Sequence, residues 1–185
     1  MTGPERRRVL EYARRALAVA VRDGRPDPAP PADGPLALPA AAFVTLRRRA
    51  DGALRGCIGR LHAAEPLGAV IAAMAAAAAL EDPRFDPVSS AEVDGLEVEV
   101  SILGPFVPSS DPARDLRVGI HGLRIRLGDR SGLLLPQVAT EQGWGAAAFL
   151  EAVCRKADLH AGAWRDPAAR VDLFEAEVIE EGPAA

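Results

Sequence analysis

Cys57 is the residue in this chain best suited to chemistry, because of what flanks it. Gly56 and Gly59 lie on either side, Arg55 stands two residues before, and Arg60 three after. Glycine inside a strand pattern costs stability, so it marks a bulge or a close approach by backbone or ligand. A thiol beside a guanidinium sits in positive potential, which favours the thiolate nucleophile. Such a thiol also needs a base and a group that orients the base. His121, set between Gly119 and Gly122, can serve as base, and Glu99 can orient the imidazole or carry protons. Gln137, or main-chain amides freed by Gly56 and Gly59, can stabilise an oxyanion. Arg84, between Asp82 and Asp86, either pairs with one of them or binds an anion. The alternative to this set is plain: Cys57 as a small buried hydrophobe, as free cysteines often are.

Hydrophobic periodicity supplies the elements that hold these residues. Residues 4–22 read as a helix, with Pro4 in the first turn and an apolar stripe of Val9, Leu10, Ala13, Ala16, Leu17 and Ala20. Residues 24–40 form a Pro- and Gly-rich loop without periodicity. A strand over 41–48 meets the Asp51-Gly52 turn signal and should pair antiparallel with 54–59. In that second strand Leu54 and Ile58 face one way, Arg55 and Cys57 the other. Pro66 opens a helix that runs to about Leu80 and is rich in alanine, and Asp82-Pro83-Arg84-Phe85 breaks it into a turn. Residues 96–103 alternate as a strand, with Val98, Val100 and Ile102 on one face. Glu97, Glu99 and Ser101 share the other, toward solvent or a groove.

Pro105 to Asp115 reads as a connection, 124–127 as a strand, and Gly128–Gly132 as a turn into Leu133–Leu135. A short helix follows Pro136, and a longer one runs from Ala146 to Lys156 with Cys154 on its core stripe. Residues 171–179 form a last strand, after which the chain should fray. The elements interleave without βαβ spacing, which predicts an α+β fold with antiparallel or mixed sheets.

The 185 residues, 49% apolar but only 4% aromatic, suit one domain or two closely packed halves with a core of Ala, Val and Leu. The net charge of −4 argues against a nucleic-acid partner, and all basic residues except Lys156 are arginine. No phosphate-binding loop, dinucleotide fingerprint or zinc spacing is present, so no cofactor or metal is expected. The start of the chain is charged at Glu5-Arg6-Arg7-Arg8, and the apolar run from Val70 to Leu80 is too short to cross a bilayer. The chain reads as cytoplasmic, without membrane contact.

Four blocks together resemble the AMMECR-type domain, called protein A of the AmmeMemoRadiSam system in prokaryotes. They are Leu54-Arg55-Gly56-Cys57-Ile58-Gly59, the segment Asp82-Pro83-Arg84-Phe85-Asp86-Pro87, and the strand Glu99-Val100-Ser101-Ile102-Leu103. The fourth runs from Gly132 through Pro136-Gln137 to Trp144, Phe149-Leu150, Cys154 and Lys156-Ala157. The resemblance implies a single domain over 1–185, its family core spanning about 41–180, built as two unequal α+β parts around a cleft. The family carries no settled activity. It implies an enzyme or enzyme component working with Memo-like and radical SAM proteins, or else a non-catalytic binding or adaptor module for a small molecule or protein.

Overall fold

A computed structural model describes residues 1–181. The chain divides into two compact units, one formed by Met1–Leu103 with the segment from Glu177, the other by Gly104–Ala176.

In the first unit, helix α1 (Gly3–Asp23) starts where the Thr2 N–H donates to the Glu5 carboxylate at 2.7 Å, and it ends at Gly24 in the left-handed region. Its apolar stripe is buried as the spacing predicts except for Leu10, which is half-buried, and Tyr12 joins it. Strands β1 (Ala41–Arg48) and β2 (Leu54–Arg60) form the expected antiparallel hairpin, and β3 (Leu96–Leu103) pairs antiparallel with the other edge of β1. Helix α2 (Leu67–Leu80) packs on α1, β1 and β2, while α1 also reaches β3. One sheet face, carrying Val44, Leu46, Val98 and Val100, thereby closes a core with Leu17, Ile71 and Ala75. The loop over 24–40 is less open than its composition suggests. Its Gly34–Ala37 segment makes one 3₁₀ turn, and Leu36 joins the core.

In the second unit, β4 (Val107–Ser109) pairs with β7 (Arg170–Glu180), β7 with β5 (His121–Leu127), and β5 with β6 (Arg130–Leu134), all antiparallel. The short helices α3 (Pro112–Asp115) and α4 (Pro136–Glu141) and the longer α5 (Ala146–Lys156) complete the unit. Phe149, Leu150 and Val153 of α5 bury against Leu123 and Ile125 of β5, and Trp144 and Trp164 pack on the rim of this second core. Cys154 lies in it, fully buried. The fold is therefore α+β with antiparallel pairing throughout the paired strands. The expectation of fraying falls on positions 182–185, outside the described residues.

Candidate functional site

Register across the first unit sets the site. Cys57 on β2 faces Thr45 on β1, and Thr45 faces Glu99 on β3, a polar row across three strands. It lies on the sheet face turned away from α1 and α2. The Thr45 hydroxyl donates to the Cys57 Sγ at 3.4 Å, and the Ser101 hydroxyl donates to Glu99 Oε1 at 3.0 Å. Arg47 Nε stands 4.0 Å from Glu99 Oε2. Glu99 is 8% exposed and Ser101 is fully buried, so this face of β3 does not meet solvent as a surface strand would. The partners explain it: a buried carboxylate is tolerable when hydroxyl and guanidinium groups satisfy it.

Both motif glycines are close-approach positions. A Cβ at Gly56 would lie 2.1 Å from the Ala78 carbonyl oxygen of α2, and one at Gly59 would lie 2.2 Å from the Phe43 ring. Gly56 lets helix and strand meet, and Gly59 seats an aromatic ring on the row's own face.

Strand β2 is the outer strand of its pairing with β1, and the turn after α2 covers its edge at Cys57. The Asp82 carboxylate accepts the Cys57 N–H at 2.9 Å, and Arg84 donates to the Cys57 carbonyl at 3.2 Å. The two side chains also pair with each other, at 2.6 Å and 2.9 Å. An acceptor and a donor held side by side thus stand in for a missing neighbour strand, satisfying groups that an open edge leaves exposed. Arg84 hydrogen-bonds hold the Asp82 carboxyl well below the usual range, with the Cys57 and Arg84 N–H groups adding to the effect.

Arg55 does not lie beside the thiol as simple alternation predicts. Leu46 faces Gly56 but Arg47 faces Leu54, so the register passes over Arg55 as at a β-bulge. Its guanidinium instead donates to Glu92 at 3.0 Å and to the Asp86 carbonyl at 2.8 Å. Glu92, which also accepts the Ser89 N–H, has its carboxyl lowered to about 2, by that N–H first and by Arg55 next. The cation acting on Cys57 is Arg84, already matched by Asp82. Burial pushes the thiol up; the Thr45 hydrogen bond and Arg84 oppose this, and the Glu99 and Asp82 charges reinforce it. An activated thiolate needs the reverse balance.

His121 and Gln137 belong to the second unit. The Arg117 N–H donates to His121 Nδ1 at 3.2 Å, which leaves Nε2 as the ring N–H in the neutral form. Gln137 stands in the first turn of α4, where its main-chain carbonyl accepts the Thr140 hydroxyl at 2.8 Å. The first unit alone gathers Cys57, Glu99, Gly56, Gly59 and Arg84, while Arg55 of β2 turns its guanidinium to Glu92 and Asp86. Ser101, inside the Glu99–Leu103 block, and Thr45, which no motif announces, complete this set; what marks Thr45 is alternation in β1 once the Asp51-Gly52 hairpin fixes the pairing.

The AMMECR1 family model matches residues 10–179, through both units. The chain belongs to the AMMECR1 family. A relative from Thermococcus gammatolerans is 44% identical over 182 residues, covering 94% of this chain and 88% of that one. One from Aeropyrum pernix is 42% identical over 180 residues, covering 94% and 77%. The crystal structure of an uncharacterized protein from Pyrococcus horikoshii superposes with a TM-score of 0.88 at 39% identity, covering 95% of this chain and 90% of that chain. The α+β fold is thus shared with that crystal structure.

Proposed function

We propose that this AMMECR1-family chain is a non-catalytic binding or adaptor module for a small molecule or protein partner, in which Cys57 is part of the framework. The observation that carries this reading is the commitment of every group around the thiol. Its N–H and carbonyl are taken by Asp82 and Arg84, its sulfur accepts the Thr45 hydroxyl, and burial pushes the thiol pKa up. Arg55, the residue that would activate it, serves Glu92. The Memo-like and radical SAM proteins brought in by the sequence resemblance are the first partners to test.

The test is complementation of a strain lacking the gene, using Cys57→Ala and Cys57→Ser with soluble expression verified. Retained function in both variants, with co-purification of one of those partners by the intact chain, is the expected result. Loss of function in a folded Cys57→Ala protein would overturn it.

One observation favours a second reading, thiol chemistry. Cys57, Thr45 and Glu99 stand in consecutive register on one face, and a proton leaving Sγ toward the Thr45 hydroxyl would need a carboxylate such as Glu99 to receive it. Under this reading Glu99→Gln abolishes function as completely as Cys57→Ala while the fold persists.

A further inference from the structure

A cavity of about 460 Å³ opens within the second unit, along β4 and β7 and the start of β5. That volume falls in the range of small-molecule sites, which combine an apolar lining with a few polar groups that fix orientation. Val107, Leu173 and Phe174 supply apolar surface here, and Asp115, His121 and Glu175 supply the polar groups. We infer that this cavity binds a small organic cation, an amine carried on an apolar body.

The strand that lines the cavity is held firmly from its other face, to which Phe174 points by alternation with Leu173 and Glu175. Phe174 is 2% exposed and packs edge-to-face on Phe106, with ring centroids 5.1 Å apart. Across the sheet, Gly122 faces Phe174, and a Cβ there would lie 2.3 Å from the ring. The ring therefore lies flat over the neighbouring backbone. Val107 is 58% exposed, leaving an apolar side chain uncovered on the outer strand β4.

Charge selects the ligand. Asp115 and Glu175 are the lining carboxylates. Asp115 is oriented by the Ser109 hydroxyl at 2.8 Å, and Glu175 stands directly across from His121 in the β5–β7 pairing. Among the described residues, no lysine or arginine lines the cavity. Arg124 on β5 is held by Asp172 at 2.8 Å and stacks 3.7 Å above the Phe106 ring. His121 accepts the Arg117 N–H at Nδ1. A cation entering this space meets the two lining carboxylates, while its apolar body covers Leu173 and Val107, which share a sheet face with Glu175.

The inference rests on residues of the second unit and goes beyond the reading of Cys57, so its failure leaves the complementation result untouched. The experiment is an amide NMR titration of the intact protein with 2-phenylethylamine, using phenylacetate and 2-phenylethanol as matched probes. The amine should give saturable shifts at residues 107–109, 115, 121 and 173–175, and bind at least about tenfold more tightly than either control. Asp115→Asn and Glu175→Gln, both at exposed positions, should each weaken amine binding about threefold or more while leaving the alcohol unaffected. Equal binding of the carboxylate, shifts that map elsewhere, or no saturable shifts would overturn the proposal. The comparison of the three probes on the unmodified protein decides it even where a variant fails to fold.

Discussion

At Cys57 the side chain and the main chain face different demands, and Asp82 answers the larger one. Its carboxylate accepts the Cys57 N–H, the Arg84 N–H and the Arg84 guanidinium, so truncating it orphans several donors at once. Asp82→Ala should cost about 2–3 kcal/mol in urea denaturation, the range for leaving a buried donor and a charge unpartnered. A loss below about 0.5 kcal/mol, the size of an ordinary surface change, would show that the edge needs no such cover. Thr45→Val removes only the hydroxyl that donates to Sγ and should cost about 1 kcal/mol. Because that hydrogen bond opposes the effect of burial, its loss should move the thiol pKa further upward.

Among the elements, the closest fit is between α2 and β2. At Gly56 an added methyl meets backbone, the Ala78 carbonyl, which moves only if the helix moves; at Gly59 it meets the near end of the Phe43 ring, which clears only if that side chain leaves its rotamer. Gly56→Ala should therefore cost about 3 kcal/mol or more and Gly59→Ala about 1–2 kcal/mol by chemical denaturation. Equal costs would contradict the packing described. These elements were legible in the sequence: Pro4 and a 3.6-residue stripe mark α1, Pro66 and an alanine-rich run mark α2, and period-two alternation with Asp51-Gly52 marks β1–β3. Strand β4 was not, because its three residues include Pro108 and only pairing with β7 makes it a strand. The displacement of Arg55 was equally hidden. It follows from a one-residue slip in register, and a slip is a property of two strands together. For the same reason the sequence marks Cys57, Glu99 and Ser101 separately but not the row they form, in which Thr45 looks like an ordinary strand residue.

For the molecule as a whole, the arginines work mostly as carboxylate partners, and this sets its response to acid. Asp82, Glu92 and Glu181 all have carboxyls lowered on folding. Arg84 does this for Asp82, and Ser89 and Arg55 for Glu92; Arg14 lowers Glu181 against the opposing effect of its burial. A carboxyl lowered on folding stabilises above its unfolded pKa, and that stability is lost as pH falls toward the folded value. Stability should thus hold above about pH 4.5 and decline steadily toward pH 2, and Glu92→Gln should flatten part of that slope. Denaturation midpoints measured across this range check it; a flat profile would contradict it. The same set of pairings is why Cys57 is left without a free cation, and this is the claim most open to direct measurement. Labelling of Cys57 by iodoacetamide, followed against pH in a Cys154→Ala background, reads the thiol alone. The account predicts slow labelling with an inflection above the free-thiol value of roughly 8.5. Fast labelling at neutral pH, with an inflection clearly below that value, would contradict it and mark Cys57 as an activated nucleophile.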